Sequence, residues 1–111
     1  MNREIKFHLN YFIDFYKALD DKTKHKVNEV LKFISEVEKI SSKFLKKIEG
    51  VDGLFEIRVK YTSNIYRIFC IFDEGKIVIL LNAFQKKTQK TPANEIKKAE
   101  KLMKEYFESR K

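Results

Sequence analysis

The chain has 111 residues, 43% of them apolar and 14% aromatic, with a mass of 13.3 kDa; that gives room for one domain with its own core, over residues 1–111, and excludes two. A single cysteine excludes an internal disulfide and, without a histidine or acidic cluster beside it, a cysteine-based zinc site, so Cys70 is expected as a small buried apolar residue. Lys and Arg number 24 against 16 Asp and Glu, for a net charge of +8 and a pI near 9.5, which makes polyanions (RNA, DNA, an acidic membrane surface) candidate partners and a solvated lysine-rich surface the plain alternative.

Met1 to Phe12 carries no continuous apolar run, and no stretch approaches the roughly 20 apolar residues of a membrane span. The expected setting is therefore the reducing cytoplasm. Glu4 to Leu9 alternates, with Ile5, Phe7 and Leu9 on one side, and predicts a short half-buried strand. Phe12, Phe15, Tyr16 and Leu19 fall at helical spacing. Asp20 and Asp21 suit a break and a new N-cap, and Val27, Val30, Leu31, Ile34 and Val37 form a second amphipathic stripe. The two helices are expected as a hairpin. Ser41 to Gly53 reads as a lysine-rich connection anchored by Phe44, Leu45 and Ile48.

The period then changes. Leu54 to Tyr61, Ile65 to Phe72 and Ile77 to Leu81 predict three strands of one meander, turning at Thr62-Ser63-Asn64 and at Asp73-Glu74-Gly75, with the third strand central and covered on both faces. Thr91 is the expected N-cap of a C-terminal helix, with Pro92 at its first position and Glu95 in its first turn. Ile96, Ala99, Met103 and Tyr106 mark its buried side. The order β-α-α-β-β-β-α describes an α+β fold, an antiparallel sheet with helices packed on it.

Parity points to a site. If Phe55, Ile57, Val59 and Tyr61 face the core, Glu56, Arg58 and Lys60 face the other way, and Arg67 joins them from the next strand. A turn at Thr62-Ser63 sets Arg58 opposite Arg67; a turn at Ser63-Asn64 sets Lys60 opposite Arg67. Either register juxtaposes cations, which is unfavourable unless a carboxylate or a bound anion compensates. Glu56 in a surface ion-pair ladder is one answer and a phosphodiester the other. The run Phe84-Gln85-Lys86-Lys87-Thr88-Gln89-Lys90-Thr91 favours the second. It interleaves cations with hydrogen-bonding residues and ends at a helix N-terminus, whose free amides suit a phosphate. Lys86, Lys87, Lys90 and Thr88 are thus candidate backbone contacts. Phe84 is a candidate for stacking a base or for an edge-on place in the core. His8 and His25 lie far apart and are expected at the surface, and Lys97, Lys98, Lys101 and Lys104 on a solvated helix face. No nucleophile elbow, phosphate-binding glycine loop or zinc-protease motif is present.

From Gly50 to Phe107 the sequence resembles the RelE superfamily of bacterial toxins and, within it, the HigB type of phage-related toxin. The resemblance is carried by Gly53-Leu54-Phe55-Glu56-Ile57-Arg58, Tyr66-Arg67-Ile68-Phe69, the run from Phe84 to Pro92, and Glu95-Ile96-Lys97-Lys98-Ala99, with Phe44-Leu45-Lys46-Lys47-Ile48 ahead of the first glycine. It implies a microbial-RNase-like sheet that enters the ribosomal A site and cuts messenger RNA without a metal or other cofactor. It also implies neutralisation by a helix-turn-helix antitoxin of the HigA kind. Carried over, the tyrosine-arginine step gives Arg67, the basic residue of the preceding strand Arg58 with Lys60 beside it, and the basic pair closing the last strand Lys86 and Lys87. Where the RelE branch often has a catalytic tyrosine, this chain has Thr88, Thr91 and Asn94. The expected chemistry is attack of a ribose 2'-hydroxyl on the adjacent phosphate, with Arg58 and Arg67 stabilising the developing charge and Lys86 or Lys87 holding backbone or moving a proton. Arg67, outward by parity, is expected to tolerate replacement without loss of fold. Relatives of this fold that inhibit DNA gyrase supply the rival reading, and an inert basic RNA-binding module a third.

Overall fold

Two alternating stretches separated by a short polar turn must fold back on each other, and this hairpin is the middle of a five-stranded sheet. The computed structural model describes residues 2–87 and 90–110. In chain order the elements are β1 (Glu4–Phe7), α1 (Tyr11–Lys17), α2 (Asp21–Glu36), β2 (Leu45–Lys47), β3 (Phe55–Tyr61), β4 (Asn64–Asp73), β5 (Ile77–Lys86) and α3 (Ala93–Ser109). The strands lie in the order β1-β5-β4-β3-β2. Every neighbouring pair is antiparallel except β1 with β5.

The α+β class and the helix positions agree with the sequence reading; several details do not. The lysine-rich connection contains β2, a three-residue edge strand held by main-chain bonds to β3 that no side-chain period announces. The third strand of the meander does not stop at Leu81 but continues to Lys86, and β4 rather than β5 is central. Of the alternating apolar residues in β1, Ile5 packs on the core, but Phe7 and Leu9 remain 51% and 53% exposed. The strand is an outer edge that ends at Phe7, and the backbone turns through φ +59° at Leu9, so alternation no longer decides which way Leu9 points. His8 is half-buried rather than superficial, edge-on to Tyr106, with its Nε2 buried and without a hydrogen-bond partner among the described residues.

Each face of the sheet carries its own core. Val27, Val30 and Ile34 of α2, with Phe12 of α1, pack on Ile57, Val59, Tyr66, Ile68, Cys70, Val78 and Leu80. Cys70 is fully buried, and burial pushes its thiol well above the ordinary cysteine value. On the opposite face, Ala99 and Leu102 of α3 cover Phe69, Ile71, Ile79 and Leu81. Asp20 caps α2 by accepting from the Thr23 amide at 2.8 Å. The other end of α2 has no basic residue in its last turn. Arg3 supplies one from across the fold, donating to the carbonyls of Ile34 and Glu38 at 3.0 and 2.7 Å. Among the described residues no helix is long and apolar enough to cross a membrane.

The far end of α3 is pinned to the end of β4. The Tyr106 hydroxyl donates to Asp73 Oδ2 at 2.6 Å, and Arg110 donates to Asp73 Oδ1. These bonds, Arg110 first and Tyr106 second, hold the Asp73 carboxyl below its ordinary value. A carboxylate with a depressed folded pKa stabilises the fold above its unfolded value of 3.8 and loses that contribution as pH falls through the folded value. Urea denaturation of Asp73→Asn should therefore show a clear loss of stability at pH 7 that shrinks toward zero as pH falls through the lowered folded value; a deficit that stays the same on acidification would contradict this role.

Candidate functional site

The hairpin register brings cations together. Tyr61 pairs with Asn64 across the Thr62-Ser63 turn, which sets Arg58 opposite Arg67 and Lys60 opposite Ile65. On the other side of β4, Phe84 lies opposite Arg67 and Lys86 opposite Ile65. A β-bulge in β5 makes this possible: Leu80 pairs with Cys70 but Ala83 with Ile68, so Leu81 and Asn82 together oppose Phe69. Without the extra residue, Gln85 and Lys87 would share the face of Arg67. With it, Lys86 does. Lys87 follows the strand and is exposed, as are Lys60 and Lys90; Thr88 lies outside the described residues.

Parity sends Arg67 away from the α1/α2 core, but it does not send it to solvent. Arg67 is 4% exposed and Glu56 5% exposed, so the expected surface ladder is a buried pair and Arg67 is not a bystander to folding. Thr91, just ahead of α3, closes over Glu56, and α3 covers the adjoining part of this face. Arg67 Nε stands 3.7 Å from Glu56 Oε2, and Nη1 donates to its neighbour's carbonyl, Tyr66 O, at 3.2 Å. The Nε itself makes no hydrogen bond among the described residues. Glu56 also accepts from the Thr91 hydroxyl at 3.3 Å. Thr91 is therefore a tether rather than the expected N-cap, a position taken by Pro92, which lacks a side-chain donor or acceptor. Asn82 of the bulge donates to Glu95 O and Oε1 at 3.2 and 3.0 Å, fixing the first turn of α3 beside the cations.

Burial, then the nearby Arg58, lowers the pKa of Arg67 from its ordinary value, with Glu56 opposing. The guanidinium stays charged at neutral pH regardless. Burial also lowers Lys86, followed by Arg67, with Glu56 opposing and Arg58 and Lys46 adding to the fall. Lysine can be brought toward neutrality in this way; arginine cannot. Phe84 is half-buried, its ring stacked on Phe69 with centroids 5.8 Å apart, so it takes the core role.

Arg58 and Arg67 open into a cleft of about 540 Å³ along the side of β3. Its lining among the described residues carries the cations Lys26, Lys43, Arg58, Lys60 and Arg67 and no carboxylate. Lys26, Lys43 and Lys46 escaped the sequence reading because nothing in local spacing ties α2 or the β2 segment to this edge. The pairing of Lys46 with Glu56 and the bond from the Arg58 amide to Phe44 O at 2.8 Å bring Lys43 and Lys46 there, and the packing of α2 on β3 brings Lys26. Among the described residues no group of His, Cys, Asp and Glu could hold a metal ion.

No curated protein matches the sequence. Among solved structures, the fold is similar to a chain of the archaeal RelE–RelB complex from Pyrococcus horikoshii OT3. The TM-score is 0.56 and the identity 19%, over 75% of this chain and 93% of that one. Residues 14–104, which span every element of the site, match the model of the family described as "Phage derived protein Gp49-like (DUF891)", and the chain belongs to that family.

Proposed function

We propose that this chain is the toxin of a toxin–antitoxin pair, of the HigB type, and that it cuts messenger RNA on the ribosome. The observation that carries this reading is the buried Arg67 guanidinium, whose Nε has no hydrogen-bond acceptor among the described residues while Arg58 and Lys86 crowd it. An arginine with a free donor and two neighbouring cations suits a phosphodiester. The RelE–RelB likeness of the fold supports the pairing with an antitoxin, here a helix-turn-helix protein of the HigA kind. The ribosome and mRNA are the corresponding partners. The cations brought together on β3, β4 and β5 favour phosphoryl chemistry over a gyrase-binding role.

The reaction follows from the charges. The ribose 2'-oxygen attacks phosphorus, its proton passing to water, and the bond to the 5'-oxygen breaks to leave a 2',3'-cyclic phosphate. Arg67 and Arg58 stabilise the negative charge that builds on the phosphoryl oxygens, Arg67 from a buried position. Lys86, with its pKa lowered, donates the proton that the leaving 5'-oxygen takes up. Lys87, Lys60, Lys90 and Thr88 hold the flanking backbone.

Induced expression should arrest translation first, with new message 5' ends that form on ribosomes, survive chelator and vanish at a 2'-deoxy site. Gyrase inhibition or double-strand DNA breaks with intact messages would overturn the reading. Because Arg67→Ala strands Glu56 in the interior, it should cost about 3–5 kcal/mol of stability as well as activity. Arg58→Ala is the cleaner probe, since Arg58 is half-buried. It should slow cutting by about a hundredfold with an unchanged urea midpoint, and full activity in that variant would contradict its role.

Lys86 sets the pH dependence. As a proton donor it works below its lowered pKa, so cutting should fall as pH rises toward 10.5, and sooner than an ordinary lysine would dictate. Lys86→Arg, which does not titrate in that range, should be slower at pH 7 and flat across the same window. A wild-type rate that keeps rising to pH 10 would exclude proton donation by Lys86. The linkage runs the other way: a lysine with a depressed folded pKa destabilises the fold while charged, so stability should rise across the interval below 10.5.

A further inference from the structure

Residues from α2 to β4 line the cationic cleft, but the phosphoryl chemistry uses only one wall of it. The other wall comes from α2 and the segment before β2, where Lys26 and Lys43 flank Phe44 and Val30. β2 begins at Leu45, opposite Ile57, and the Arg58 amide makes its bond to Phe44 O, one residue earlier. Beyond that rung the side of β3 has no strand beside it among the described residues, and the cleft there is lined from Arg67 across to Lys26 and Val30 of α2.

We propose that this second wall is a binding subsite for a nucleotide flanking the one that is cut, with Lys26 and Lys43 on its phosphate and the base against Phe44. The inference rests on the RNA-cutting reading and extends it to a substrate contact on a different element. Three observations support it. The lining is cationic on both walls with no carboxylate among the described residues, which suits a chain of phosphates spaced along a groove. The floor is apolar: Phe44 rests on Phe33 with ring centroids 4.9 Å apart, and Val30 and Ile65 lie alongside. Arg67, 4% exposed and with an Nε unsatisfied among the described residues, lines the same cavity and marks it as built for an anion. The partners that Lys26 and Lys43 now have are weak competitors. Lys26 is paired at 3.2 Å with Glu29, itself 67% exposed in its side chain, and Lys43 sits over the Phe44 ring at 5.6 Å.

The test is binding of a fluorescent single-stranded RNA decamer to the full chain, measured by anisotropy at several salt concentrations. Lys26→Ala/Lys43→Ala should weaken binding about tenfold and lower the slope of log affinity against log salt by about 1.4, the value for two phosphate contacts to a single strand. Lys97→Ala/Lys101→Ala on the exposed side of α3 removes the same charge and should change affinity less than twofold. Equal losses in both variants would mean a diffuse field and overturn the subsite. So would an unchanged affinity in a folded Lys26→Ala/Lys43→Ala protein, or no binding by the wild type. Ribosomal cleavage separates the two readings. Messages cut normally with the decamer unaffected by the double substitution leave the nuclease and remove the subsite. Selective loss of decamer binding with messages left intact does the reverse.

Discussion

The buried contact between Glu56 and Arg67 is the constraint around which this face of the sheet is arranged. Two charges less than 6% exposed carry a desolvation cost of several kcal/mol each, and a separation of 3.7 Å with no Nε hydrogen bond among the described residues recovers it incompletely. A fold selected for stability alone would do better with two well-packed apolar residues at these positions. The pair persists with a neighbouring cation of like sign on each side, Arg58 and Lys86, and the carboxylate is what lets three positive groups stand together. Its second partner, Thr91, extends the same restraint to the start of α3.

The second device is the bulge in β5. A bulge inverts the facing of every residue after it, and here it selects Lys86 over Lys87 and re-aims Asn82 at Glu95. The positive end of α3 is thereby held next to the cationic row by two side-chain tethers, Thr91–Glu56 and Asn82–Glu95, while its far end is anchored at Asp73. The helix thus has two jobs. It buries the apolar half of the sheet face and stops where the cationic half begins.

This division explains how a chain of net charge +8 keeps a stable core. The apolar side chains of β4 and β5 are shared between two separate clusters, one under α1 and α2 and one under α3. The cations gather at one end of the sheet and around its β3 side, where like-charge repulsion is tolerated as long as an anion can enter.

What the sequence determined by itself was whatever depends on period and local chemistry. Alternation in residues 54–61 and 65–72 defined the central hairpin, its two facings and the shared side of Glu56, Arg58 and Arg67. Helical spacing located α1, α2 and α3, and Asp20 announced a cap, because these signals act within a few residues of chain. Three things needed the tertiary structure. The register was open between two turns until the pairing of Tyr61 with Asn64 chose one. The facing of Lys86 depended on an extra residue in β5 that leaves no mark in a run of aliphatic side chains. The burial of Arg67 and Glu56, and the arrival of Lys26 and Lys43 at the same cleft, depended on where α3, α2 and the β2 segment pack. Parity tells a side chain which face of a sheet it occupies; only long-range packing decides whether that face is covered, and by what.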